Sequence, residues 1–212
     1  MVDTIYLEGR VGPQFVNDGS FSEVRTGKNG EVIYAHGKGR MAEASMRGEL
    51  FVASTAVAGV APGTALGTTP PFAIHNPDGS GILVSIMKVA VGYVSGTLGA
   101  GSLVWAENPQ TTVPTGGAEL TANSLRLGQA AGKAKAYDES TISGTPTILR
   151  SSGINFGASL ATTALMPVMV QDFVDGEFIV PENQVICLEA VAAGGSTPVI
   201  MIGVTWQEIP NS

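Results

Sequence analysis

Two clusters of turn residues, Asn76-Pro77-Asp78-Gly79-Ser80-Gly81 and Ser95-Gly96-Thr97-Leu98-Gly99-Ala100-Gly101, bracket an almost wholly apolar run, residues 82–94. No other stretch restricts the fold as much. Proline at the front of a turn fixes φ, and the glycines admit positive φ, so the chain reverses on both sides of the run. The run falls short of the roughly 20 residues that span a bilayer, and Ser85, Lys88 and Gly92 interrupt it. It reads as a long strand. Strict alternation puts Ile82, Val84, Ile86, Ala90 and Val94 on one face. Leu83, Met87, Val89, Val91 and Tyr93 then share the other. A strand apolar on both faces belongs at the centre of a sandwich or in a contact between subunits. The second set is therefore the candidate oligomer interface. Lys88 must pair or reach solvent, because an unpaired buried ammonium is costly.

The remainder repeats the theme on a shorter scale. There are 28 Gly and 12 Pro, and charged residues make up only 14%. Amphipathic helices need Glu, Lys and Arg on their wet faces, so this composition favours short strands and tight turns. Strands are expected at 50–53, 72–75, 102–106, 133–137, 147–150, 164–170, 177–180, 184–190 and 198–208. In the last, Ile200, Ile202, Val204 and Trp206 share one face, while Thr205 and Gln207 share the other. Residues 95–101 are expected to close a hairpin onto 102–106. Residues 39–48 suit a short helix or a strand equally, and 120–129 admit a short helix. Residues 1–30 are polar and dotted with glycine, an extended N-terminal arm. The body, 31–212, opens with a strand at 31–35 that puts Val32 and Tyr34 on one face. The fold class is all-β: an antiparallel β-sandwich of jelly-roll type.

Charge narrows the partners. The net charge is −7. Residues 1–50 hold six Lys/Arg against seven Asp/Glu, and the rest hold five against eleven. An acidic body argues against nucleic acid, whose binding needs a basic face. Low charge leaves neutral surface that a symmetric oligomer would hide. Asp3 and Glu8 stand where an export signal carries base, so synthesis in the cytoplasm is expected, without a membrane partner.

A search for chemistry yields little. His36 and His75 are the two histidines, and neither belongs to a metal-binding pair. His75 is expected to be a hydrogen-bonded structural residue. Cys187 lies in Val185-Ile186-Cys187-Leu188 and is expected to be a buried small hydrophobe. Asp172, Asp175 and Glu177 could hold calcium with backbone carbonyls, but read better as solvated turn acids. No GxSxG elbow or phosphate-binding loop occurs. Trp105 and Trp206 sit in apolar strands and are expected in the core, with a sugar-stacking platform as the alternative. The expectation is a non-enzymatic protein without a cofactor or metal.

Three stretches taken together resemble tailed-phage head proteins, in particular capsid decoration (cement) proteins. The first is Ala35-His36-Gly37-Lys38-Gly39-Arg40-Met41-Ala42-Glu43-Ala44, continuing to Arg47-Gly48-Glu49-Leu50-Phe51. The second is Ile74-His75-Asn76-Pro77-Asp78-Gly79-Ser80-Gly81 with Gly92-Tyr93-Val94-Ser95-Gly96-Thr97-Leu98-Gly99-Ala100-Gly101. The third is Val204-Thr205-Trp206-Gln207-Glu208. The resemblance spans residues 31–208 and transfers no catalytic residue. It implies a virion structural protein on the capsid surface, made in the host cytoplasm. It also implies many copies in symmetric contact; the arrangement expected is a homo-oligomer, a homotrimer favoured, bound to a major capsid protein. The arm, with Arg10, Arg25, Lys28, Lys38 and Arg40, would then lie on acidic capsid surface or on a neighbouring copy. The competing reading is a receptor- or carbohydrate-binding module of a head or tail fibre. A metal-free hydrolase on a β scaffold is a third.

Overall fold

The computed structural model describes residues 41–156 and 169–211. The chain divides into two units, Met1–Ala42 and Glu43–Ser212, and both sheets belong to the second. The arm, the strand expected at 31–35 and the boundary expected at 30/31 lie outside the described residues. So do Arg10, Arg25, Lys28, Lys38 and Arg40.

The ambiguous 39–48 segment resolves as a helix, α1, Ala42–Arg47. Glu43 in its first turn and Arg47 in its last form an exposed ion pair at 2.7 Å, the i,i+4 spacing that supports a short helix. Gly48, at φ 79°, ends it; its N–H donates to the Ser45 carbonyl at 3.1 Å, and the Glu49 N–H donates to that of Ala44 at 3.0 Å.

Twelve strands follow among the described residues: β1 (Leu50–Ser54), β2 (Phe72–Asn76), β3 (Ile82–Leu98), β4 (Gly101–Pro109), β5 (Ala118–Leu120), β6 (Asn123–Ser124), β7 (Lys135–Asp138), β8 (Thr147–Phe156), β9 (Met169–Phe173), β10 (Ile179–Val180), β11 (Gln184–Val191) and β12 (Gly195–Pro210). They form two sheets, ordered β10-β3-β12-β1-β6, with β9 also on β3, and β5-β7-β2-β11-β4-β8. Every pairing is antiparallel, so the expected all-β sandwich is the fold found. Val84, Ile86, Ile202, Val204 and Trp206 of the first sheet meet Ile74, Trp105, Ile186 and Leu188 of the second in one core. The inward face of β12 is the one its alternation predicts.

Alternation fails in β3, and for a local reason. Thr205 of β12 sits opposite Lys88, and Trp206 sits opposite Ile86. Met87 is thus an extra residue, a β-bulge, and the inward series shifts by one after it. Val89 and Val91, at 0% and 4% exposure, therefore join Ile82, Val84 and Ile86 in the core. Strict alternation puts them on the opposite face with Leu83, Met87 and Tyr93. They are core residues and cannot line a contact between copies. Of the five interface candidates, Leu83 and Met87 are half-buried and Tyr93 is exposed.

Two other expectations are corrected. β3 runs on to Leu98, and β4 belongs to the other sheet, so the glycines at 99–101 make a corner between sheets, not a hairpin. No helix forms at 120–129; β5 ends at Leu120, opposite Ala136, and Ser124 of β6 pairs with Phe51. A strand expected at 164–170 is described only from Met169, as β9.

The second sheet is covered on its outer side as well. Ala73, Ala106, Ile142, Val185 and Cys187 form a small outer cluster, with Leu66 packed on it. The covering segment is tied down by backbone bonds. The Pro62 carbonyl accepts from Ala190 N–H at 3.2 Å, that of Thr64 from Ala192 N–H at 2.8 Å, and that of Thr68 from Ile142 N–H at 2.8 Å.

Candidate functional site

The outer layer of the second sheet gathers Cys187, Glu189 and His75, the residue types from which a nucleophilic site could be built. Their chemistry points elsewhere. Cys187 is fully buried; its Sγ donates to the Ala106 carbonyl at 3.4 Å and approaches Glu189 Oε1 at 3.6 Å. Burial first, and then the neighbouring Glu189 carboxylate, push the thiol well above its usual range. A thiol held protonated is a poor nucleophile. Glu189, 2% exposed, accepts the Gly67 N–H at 2.7 Å and so pins the covering segment. Burial raises its pKa, against the opposing hydrogen bonds from Gly67 and Cys187.

His75 is 2% exposed, and its Nε2 is hydrogen-bonded to the Gln110 carbonyl at 3.0 Å. Its Nδ1 is buried without a hydrogen-bond partner among the described residues. Lys135 sits directly across on β7, so no anion faces it there. Burial lowers the pKa below 6.5, and the bond to Gln110 only partly opposes this. The unfolded chain therefore takes up the proton first. The neutral imidazole's contribution is complete above pH 6.5 and is lost as pH falls towards the lower folded value. We expect the denaturation midpoint to fall on mild acidification, and His75→Gln to flatten that part of the profile. An unchanged acid slope in the variant would rule this out.

A polar cluster bridges the two sheets. Trp105 Nε1–H of β4 donates to Asp172 Oδ2 of β9 at 2.9 Å. Arg150 of β8 donates from Nη1 to the same oxygen at 3.1 Å and from Nε to Glu177 Oε2 at 2.8 Å. Its guanidinium lies 5.2 Å from the centre of the Phe178 ring, which itself packs 5.8 Å from Trp105. Burial works against the charge of Arg150, but the bonds and charges of Asp172 and Glu177 outweigh it and hold its pKa above the usual value. The expectation of solvated turn acids is thus corrected for Asp172, whereas Glu177 stays exposed beside the turn while pairing with Arg150. Their partner comes from another strand, a pairing that no local pattern announces. Among the described residues, no three or more His, Cys, Asp or Glu are grouped to hold a metal ion.

Beside this cluster a groove of about 420 Å³ opens, lined among others by Glu107, Leu149, Glu177, Phe178, Ile179 and Ile186. Leu149 and Ile179 are 42% and 47% exposed. The Glu177 carboxylate is held by Arg150, whereas that of Glu107 has no hydrogen bond or ion pair among the described residues. An apolar floor with acid at its rim suits an apolar side chain accompanied by a cation. The groove escaped sequence reading because its walls come from four separate strands and the turn beside β10.

Comparison with known proteins identifies nothing similar: no family model, curated protein or solved structure matches the chain. Trp105 and Trp206, at 1% and 0% exposure, are core residues as expected. The exposed large aromatics among the described residues are Tyr93 and Phe173.

Proposed function

We propose that this chain is a non-enzymatic virion structural protein, a jelly-roll-type sandwich that decorates and stabilises a phage capsid through symmetric contacts between copies. Three copies about a threefold axis, seated on a major capsid protein, is the arrangement this reading favours. The observation that carries it is the use made of the buried polar groups. Asn76 Nδ2 donates to the carbonyls of Ile82 and Val180, and its Oδ1 accepts from Ser80. Glu189 holds Gly67, Glu208 accepts the N–H groups of Lys133 and Ala134, and Asp172 joins Arg150 to Trp105. Each group braces a turn or ties sheet to sheet. A body that reinforces a shell needs this rigidity and needs no catalytic group. The resemblance of the three stretches to decoration proteins supplies the setting.

The carbohydrate-binding alternative predicts an exposed aromatic platform and measurable glycan binding; both tryptophans are buried, which leaves Tyr93 and Phe173 as the exposed large aromatics among the described residues. The decoration reading is tested by sedimenting the protein with purified phage shells stripped of decoration. Saturable binding and a raised melting temperature of the shell are expected; absence of binding overturns it. Removing residues 1–30 takes away Arg10, Arg25 and Lys28. The shortened chain should fold but bind shells more weakly, and the loss should shrink at high salt, where exposed charges are screened. Unaltered binding would remove the arm from the reading.

A further inference from the structure

We propose that copies of this chain associate head to tail, with the loop tip at Leu127 of one copy seated in the groove beside Glu107 of the next. The inference rests on the proposed function and specifies the contact between copies that it invokes. Its test needs purified protein only, so its failure and that of shell binding are told apart.

The tip follows β6, and its shape is fixed by its own bonds. The Leu125 N–H donates to the Leu50 carbonyl at 2.8 Å, the Arg126 N–H to Ser124 Oγ at 3.2 Å, and the Gln129 N–H to the Arg126 carbonyl at 3.2 Å. Arg126 Nη1 donates to the Met46 carbonyl at 3.0 Å, which anchors the tip to α1. Leu127 projects from this frame with 90% of its surface exposed, and Leu125 beside it is 37% exposed. Single exposed leucines are ordinary. This one is distinguished by its setting: a braced loop, and an adjacent arginine with no carboxylate partner among the described residues.

The groove offers the complement. Most of its lining residues are apolar, its charged lining residues are both acids, and the Glu107 carboxylate has no partner among the described residues. Arg126 brings to that rim the cation it lacks. The pair forms as the surrounding surface is covered, where a lone carboxylate would be costly to desolvate. Position decides that the contact lies between copies. The tip adjoins β6 at one end of the first sheet's strand order, and the groove adjoins β10 at the other end. One copy cannot fill its own groove. A contact between two different patches is heterologous, and such contacts close into rings when the rotation between copies allows it. One loop in one groove buries less than the ~1,000 Å² typical of a stable interface. A closed ring holds because every copy makes the contact twice, once with its tip and once with its groove.

The test is solution mass by light scattering across a concentration series, with circular dichroism to confirm folding. Wild type should form a discrete oligomer. Leu127→Asp should weaken association more than about tenfold, as expected for a central anchor. Arg126→Glu and Glu107→Arg should each weaken it, and the double exchange should restore it, since the ion pair is re-formed with its ends swapped. A monomeric wild type, an oligomer indifferent to Leu127→Asp, or a double exchange no better than its parents would each overturn the inference.

Discussion

Trp206→Ala is expected to cost about 3–5 kcal/mol in urea or guanidinium unfolding, the range for removing a large aromatic from a packed core. Trp206 is 0% exposed and lies on β12, which pairs with β3 on one side and β1 on the other. Its ring stacks on Phe51 at 6.4 Å with an interplanar angle of 29°, so the stack spans neighbouring strands. Its Nε1–H donates to Glu208 Oε1 at 3.3 Å, so the deletion removes a hydrogen bond together with the apolar surface. Trp206→Phe should recover much of the loss by refilling the space, while leaving the carboxylate one donor short. An Ala variant within about 1 kcal/mol of wild type would mean that the site collapses without a cavity, contrary to this account of the core.

Glu208→Ala is the second large effect, and it acts through orphaned donors. The carboxylate is 7% exposed and accepts from Lys133 N–H at 3.0 Å, Ala134 N–H at 3.0 Å and the Trp206 indole. An unsatisfied buried donor costs about 1–3 kcal/mol, so losing all three acceptor contacts should cost about 3 kcal/mol or more. Gly132 allows this approach: a Cβ there would meet Glu208 Oε1 and the Phe51 ring. Glu208→Gln keeps one acceptor oxygen and should retain part of the stability. Amide exchange gives the residue-level check. Lys133 and Ala134 should lose protection in Glu208→Ala even under conditions where the protein stays folded. If their exchange is unchanged, Glu208 does not hold this loop.

The strand-and-turn pattern was legible wherever one face is core and the pairing is regular. The alternation of Ile200, Ile202, Val204 and Trp206 placed the inner face of β12 correctly, and Asn76 to Gly81 marked a turn that the structure contains. Legibility ended where a long-range partner decides the local geometry. The bulge at Met87 depends on β12, so the sequence of β3 alone put Val89 and Val91 on the wrong face. The corner at 99–101 uses the same glycines as a hairpin would, and only sheet membership separates the two. Asp172 read as a wet turn acid because Arg150, on β8, cannot be connected to it by spacing. The groove and the Leu127 tip were invisible for the same reason, since each is a shape made by elements that are remote in sequence.

The position of β12 bears on how the chain is made. β3 is complete at Leu98, but its partner along nearly its whole length begins only at Gly195. Ribosomes add ~5–20 residues per second, so the gap corresponds to on the order of 5–20 s of translation. Throughout that interval the nascent chain carries its longest apolar strand without the neighbour that completes the sheet. An open strand edge of this kind is a template for pairing with other chains. A holdase at the ribosome exit would therefore matter more for the yield of this protein than for the stability of the finished fold.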